Sequence, residues 1–456
     1  MFGSLEQGWH FSDISRYAAN VRPIPLKPVL DSRRFGRTPV AFLTGLAGCS
    51  LLAILALALV VAHHGPAPAL VGLLLAMLPI PLLVALILLI DRLEPEPRAL
   101  LLAIFGAGAG VAVIIALLGH ATGSAAITIP ELGPHAGRRI GIGVGAAIGA
   151  AVVAESLKGL VLLALLPSRR TEIDGATDGV VYASMIGLGF ALVANVYAYV
   201  AAWEAGIRSL AEEFARRGIF GPLWEALFTS MIGLGVAYAA ARKRAAGYWA
   251  IGAGWLLAVA LDALWNKSVT EGGTGLAITY AILLAALAVV VALVAADWRR
   301  VINMINSFLP QFADPFTLTA CDVHMLTSLR VRRLGRQWAR LNAGIDAMHA
   351  MTQYQLAATE LAMACNRDAH GRLSPEQFVR HRDDSLTLMR EAVTLIRERD
   401  QLFPPPWVGD DPSAFVRSLI RRPGPRPHQR APSGTAVTFS APSWRNNHSL
   451  RSTPQP

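Results

Sequence analysis

The sequence predicts an all-α protein: a polytopic bundle of about eight transmembrane helices, a cytosolic helical hairpin and a disordered C-terminal tail. Two observations lead there. Of 456 residues, 54% are hydrophobic and only 16% charged, and the mean hydropathy is +0.44, too apolar for a soluble protein of this size. The apolar residues also fall in runs near the ~20 residues that a helix needs to cross a bilayer, and the composition changes after Trp298. A formal charge of +10 would suit nucleic acid in a soluble domain. Here the Lys and Arg residues sit beside the apolar runs, where orientation and headgroup contact account for them, so membrane lipid is the expected partner and nucleic acid is not.

Residues 1–39 read as a basic cytosolic segment, with Arg33, Arg34 and Arg37 directly before the first apolar run. The segment has no apolar h-region, so the first span is expected to act as an uncleaved anchor. Residues 40–297 carry the bundle, with spans at Val40 to Ala62, Ala67 to Ile90, Ala99 to Gly119, Ile140 to Leu166, Gly179 to Trp203, Ile219 to Ala241, Tyr248 to Trp265 and Gly275 to Ala296. If these alternate, Arg33 to Arg37, Arg92 to Arg98, Arg169 and Arg170, Arg242 to Arg244, and Arg299 and Arg300 share one side. The rule that cytoplasmic loops hold the excess of Lys and Arg then puts both termini in the cytoplasm. A bias to Ala, Gly, Arg and Pro points to a bacterium of high GC content and hence its plasma membrane. Glycines recur inside the spans, with Gly-Leu-Gly at Gly187 to Gly189 and again at Gly233 to Gly235, and close approach of helices explains them.

Residues 298–402 are expected to form the cytosolic helical region, one helix from Asp322 to about Cys365 and a second from Ser374 to about Leu402. Ser374-Pro375-Glu376-Gln377 marks the second start, with Ser at the N-cap and Gln three residues on. Met325, Met348, Met351 and Met363 read as core or partner surface. Residues 403–456, with Pro404 to Pro406 and Arg421, Arg422, Arg426 and Arg430, cannot bury a core and are expected to be disordered.

Against this apolar background, Glu155 and Lys158 are the anomaly. At a separation of three they share one helix face and partly neutralise each other, and charges within a membrane face a bundle interior or a wet cavity. They are either a buried stabilising pair or part of a site. Other polar residues carry weaker signals. Asp174 and Asp178 read as solvated or helix-capping groups. His63, His64, His120 and His135 lie in or beside outward loops and lack the i, i+4 spacing of a metalloprotease pair. Trp203, Trp224, Trp249, Trp255, Trp265 and Trp298 lie mostly near span ends, where interfacial anchoring explains them. Cys49, Cys321 and Cys365 have no metal-binding spacing.

Several stretches, in order, resemble the PrsW family of intramembrane metalloproteases over about Asp91 to Asn266. The loop from Asp91 to Arg98 resembles the family's acidic-proline loop, and Ala154 to Gly159 its Glu-Glu-x-x-Lys motif. Arg169 to Tyr199 is similar to the segment ending in Phe-x-x-x-Glu-Asn, and Pro222 to Gly235 and Leu261 to Asn266 to the two stretches that hold histidines. The resemblance implies a divalent metal, zinc in the family, activating water for peptide hydrolysis. It also implies departures: Ala154 and Ala194 stand where the family has glutamates, and Glu225 and Asp262 where it has histidines.

What the resemblance leaves as site candidates is Glu155 and Lys158 as catalytic residues, with Glu155 as ligand or general base, Glu225 and Asp262 as further metal ligands, and Asn195 and Asn266 as supporting polar groups. Zinc prefers nitrogen and sulfur, whereas an all-oxygen set suits magnesium, manganese or calcium, so a harder cation or none is expected in its place. Glu225 and Asp262 lie near span ends and could equally be interfacial. Three functions stay open: a catalytically impaired relative that binds a membrane partner, such as a single-span anti-sigma-like regulator; an active intramembrane endopeptidase with an altered, carboxylate-rich site; and an ion or small-solute transporter.

Overall fold

The computed structural model describes residues 40–122, 144–169, 173, 175–241, 244–271, 273–314 and 317–399. The expectations for residues 1–39 and 403–456, for Asp174 and for His135 lie outside these residues, as does the side chain of His120. All the regular structure described is helical, with no strand among the described residues. The helices are α1 (Val40–His64), α2 (Pro66–Met77), α3 (Ile80–Ile90), α4 (Arg98–Thr122), α5 (Val144–Arg169), α6 (Ala176–Glu204), α7 (Ile207–Arg217), α8 (Phe220–Ala241), α9 (Arg244–Glu271), α10 (Gly273–Phe308), α11 (Ala320–Leu326), α12 (Leu329–Ala343), α13 (Ile345–Ala369) and α14 (Pro375–Arg399).

Eight segments among the described residues are long and apolar enough to cross a membrane, matching the expected number. The second differs from the single run expected from Ala67 to Ile90. It breaks between α2 and α3, where Pro79 and Pro81 remove backbone donors and crowd the preceding turn. The sixth agrees with the expected Ile219 to Ala241, since α8 covers Phe220–Ala241, and Ile207–Arg217 before it forms the separate amphipathic α7. On that helix Leu210 and Phe214 join Tyr199 in an apolar cluster, while Arg208 pairs with Glu212 at 3.0 Å and Arg216 and Arg217 pair with Glu213.

Helix α6 is the axis of the bundle, buried along nearly its whole length and packed against α2, α4 and α8. The two Gly-Leu-Gly stretches explain how it can be surrounded. Residues two apart on a helix point in nearly opposite directions, so each glycine pair thins a helix on two sides at once. Gly187 meets the backbone of Glu225 and Ala226 on α8, and Gly189 meets Phe105 on α4. Likewise Gly233 meets Gly179 on α6, and Gly235 meets Ala250 and Ile251 on α9.

One end of the bundle is marked by His64 at the end of α1 and Glu204 at the end of α6, 2.5 Å apart. At the other end α10 does not stop at Ala296 or Trp298 but continues to Phe308. There Val301, Met304 and Ile305 enter a second core with Met325, Trp338, Met351, Tyr354, Met363 and Met389. The helix expected from Asp322 to Cys365 is three helices. Thr319 caps α11 by accepting from the Asp322 N–H, Ser328 caps α12, and Gly344 at φ +90° turns the chain into α13. The last two helices form the expected hairpin, and Ser374 and Gln377 exchange the two bonds of a capping box at 3.0 and 3.2 Å.

This second core is fastened to the bundle by named bonds. Buried Arg332 donates to the carbonyl of Leu93 at 3.3 Å, to that of Leu326 at 2.8 Å and to the Thr359 hydroxyl at 2.8 Å. Trp298 donates to the carbonyl of Ile90 at 3.1 Å, and Asp297 accepts from the Thr177 N–H and hydroxyl at the start of α6.

Candidate functional site

Four helices converge where the apolar run of α5 is interrupted. Glu155 and Lys158, one turn apart on α5, are both fully buried. The Lys158 ammonium pairs with Glu155 and reaches across to α8, where its Nζ donates to Glu225 Oε2 at 2.7 Å. It also lies 4.4 Å from the ring centroid of Phe190 on α6, a cation–π contact in a dry setting. Asp262 on α9 is buried, close enough to act electrostatically on the same ammonium, and accepts from the Asn266 side chain at 2.9 Å. Glu225 is therefore directed inward, and neither it nor Asp262 is an interfacial group.

The two substituted positions lie beside this cluster. Ala154 and Ala194 are both buried, in one apolar group with Phe190 and with Val111, Ala112 and Ile115 of α4. Methyl groups stand where the resemblance implies carboxylates, and side chains from α4 pack against them. Asn195, next to Ala194, is buried with no hydrogen-bond partner for its Nδ2 among the described residues. Apart from the Lys158 ammonium, the Glu155 carboxylate also has none there.

The residues present do not fit a catalytic zinc. Such a site takes about three protein ligands, preferably nitrogen or sulfur, and keeps one position open for water. Here the donors are carboxylates, and an ammonium stands between Glu155 and Glu225. No group of three His, Cys, Asp or Glu residues is placed to hold a metal among the described residues. An ammonium held by two carboxylates and an aromatic face can lock helices together.

The sequence located every charged member of this cluster, yet missed Phe190 as the third partner of Lys158. Its position four residues before Ala194, on the face that meets α5, was the available signal. Also missed was the bond from Trp255 Nε1 on α9 to the Ser156 hydroxyl at 3.1 Å, which ties α9 to α5. Two tryptophans expected at the interface are buried instead. Trp224 and Trp265 pack around Tyr280 with ring centroids 6.0 and 5.7 Å away, because α8, α9 and α10 meet there. Asp178 caps α6, accepting from the Gly175 N–H at 3.1 Å, and Asp91 is buried within the acidic-proline loop, accepting from the Glu96 N–H at 2.8 Å.

Comparison with known proteins gives one family match. Residues 96–296 match the family described as PrsW family intramembrane metalloprotease. No curated protein and no solved structure matches the chain. The matched segment begins in the acidic-proline loop and runs to the end of the last apolar stretch, leaving α11 to α14 outside it. The chain is a multi-pass membrane protein whose residues 96–296 match the PrsW family of intramembrane metalloproteases.

Proposed function

We propose that this protein is a non-hydrolytic PrsW-type bundle of a bacterial plasma membrane, with both termini cytoplasmic, that binds a single-span membrane regulator without cleaving it. The observation that carries the reading is the Lys158 ammonium held between Glu155 and Glu225, beside Ala154 and Ala194 packed as apolar residues. Together they replace a water-activating centre with an internal clamp.

Recognition survives such a replacement because helices associate in lipid by close packing and occasional polar contacts, which need no hydrolytic group. The clamp keeps α5, α6, α8 and α9 in register, so the surface offered to a partner helix stays rigid. The α11 to α14 layer, outside the family match, would hold the partner's cytosolic end.

The test is co-expression of the full-length chain with a panel of tagged single-span regulators of the anti-sigma type. The reading expects at least one to co-purify intact from detergent. A partner cleaved by the wild-type chain and spared by Glu155→Gln would overturn it.

A further inference from the structure

Helix α10 is longer than a bilayer requires. Its 36 residues span about 54 Å at 1.5 Å per residue, whereas ~30 Å of hydrocarbon takes ~20 residues. The surplus lies at its C-terminal end, where Asp297, Arg299 and Arg300 end the apolar run. Val289, Leu293, Ala296, Arg300, Asn303 and Ser307 follow one another at steps of three or four, and so form a single stripe along the helix. The upper part of that stripe is apolar and outward, with Val289 58% and Leu293 42% exposed.

The lower part opens into a groove against α13. Arg299, Arg300, Asn303 and Ser307 line it from α10 and Asn366 from α13, and no carboxylate is among its lining residues. Met304 and Phe308 supply an apolar floor. The groove is shallow and open on its outer side, with a volume of about 430 Å³. Asp297 fixes Arg300 through Nε at 3.1 Å, and that carboxylate is also committed to Thr177 at the start of α6. Arg299 is exposed and has no ion pair among the described residues.

We propose that this groove binds the phosphate headgroup of an anionic phospholipid, with the acyl chains lying along Val289 and Leu293. Guanidinium groups present paired N–H donors that match phosphate oxygens, and the amides of Asn303 and Asn366 and the Ser307 hydroxyl add uncharged donors. The assignment to a lipid rests on the stripe. A soluble phosphate has no use for exposed apolar positions continuous with its site, and a lipid does.

Native mass spectrometry of the full-length chain in mild detergent tests this, with phosphatidylglycerol, phosphatidylcholine and inorganic phosphate as probes. Retained phosphatidylglycerol adducts are expected, weakened about fivefold by Arg299→Ala, with phosphatidylcholine adducts unchanged by it. Arg299→Ala removes no internal ion pair. Asn303→Leu is the second variant, expected to weaken the same adducts while leaving the charge unchanged. Phosphatidylglycerol binding no tighter than phosphatidylcholine, or insensitive to both variants, would overturn the proposal. Inorganic phosphate displacing phosphatidylglycerol at equal concentration would overturn the lipid assignment.

Discussion

Replacing Lys158 with methionine probes the clamp directly, because it keeps the length of the side chain and removes the charge. Glu155 is fully buried and loses its ammonium, whereas Glu225, with 18% of its side chain exposed, can recover some hydration. Removing one partner of a buried pair typically costs ~3–5 kcal/mol, so an unfolding constant larger by a hundredfold or more is expected. Unfolding in mixed micelles with increasing dodecyl sulfate, followed by tryptophan fluorescence, measures it. The companion variant Glu155→Gln/Lys158→Met should recover most of the loss, since a neutral pair of similar shape leaves no uncompensated charge. A loss under ~0.5 kcal/mol for Lys158→Met, or no recovery in the double variant, would refute the view that the ammonium holds these helices together.

Two further outcomes follow from the packing and from the second core. At Gly187 a Cβ would lie 2.5 Å from the Glu225 carbonyl oxygen and 2.8 Å from the Cα of Ala226, so Gly187→Ala must push α8 away from α6. A loss of ~1–3 kcal/mol is expected, with Glu225→Gln costing less in that background than in wild type, as a double-mutant cycle would show. In the second core, burial pushes the Asp322 carboxyl up from 3.8 to about 6, against the lowering effect of its hydrogen bonds with Thr319 and Tyr354. Because the folded value is the higher one, this group's contribution is complete below pH ~4 and is lost as pH rises through about 6, an amount of about 3 kcal/mol. Hydrogen exchange over residues 320–369 should therefore show stronger protection at pH 5 than at pH 7.5, and Asp322→Asn should flatten the difference.

The membrane helices were legible because an apolar run of about 20 residues has few other uses, and Glu155 and Lys158 stood out because that background made their charge costly. Their partners were harder to see. Glu225 and Asp262 sit near span ends, where a carboxylate can be solvated at little cost, and only the tertiary fold turns Glu225 toward a lysine 67 residues away. Trp224 and Trp265 show the same limit, since residue type and depth suit an interface until a neighbouring helix covers them. The length of α10 was hidden at Trp298, where the composition becomes polar while the helix continues and buries a new face. The breaks at Ser328 and Gly344 lie in a stretch of good helix formers, where a single cap and a single positive φ decide the outcome.

The central claim is that the family's metal site has become an ion-paired core. Elemental analysis of the full-length protein purified without chelator tests it most directly, beside a variant carrying Ala154→Glu, Ala194→Glu, Glu225→His and Asp262→His together. The account predicts no divalent ion above the buffer level in the wild type and about one equivalent of zinc in the fourfold variant, because it restores the nitrogen and carboxylate donors that a catalytic zinc takes. One equivalent of metal in the wild type, lost in both Glu155→Ala and Asp262→Ala, would contradict it.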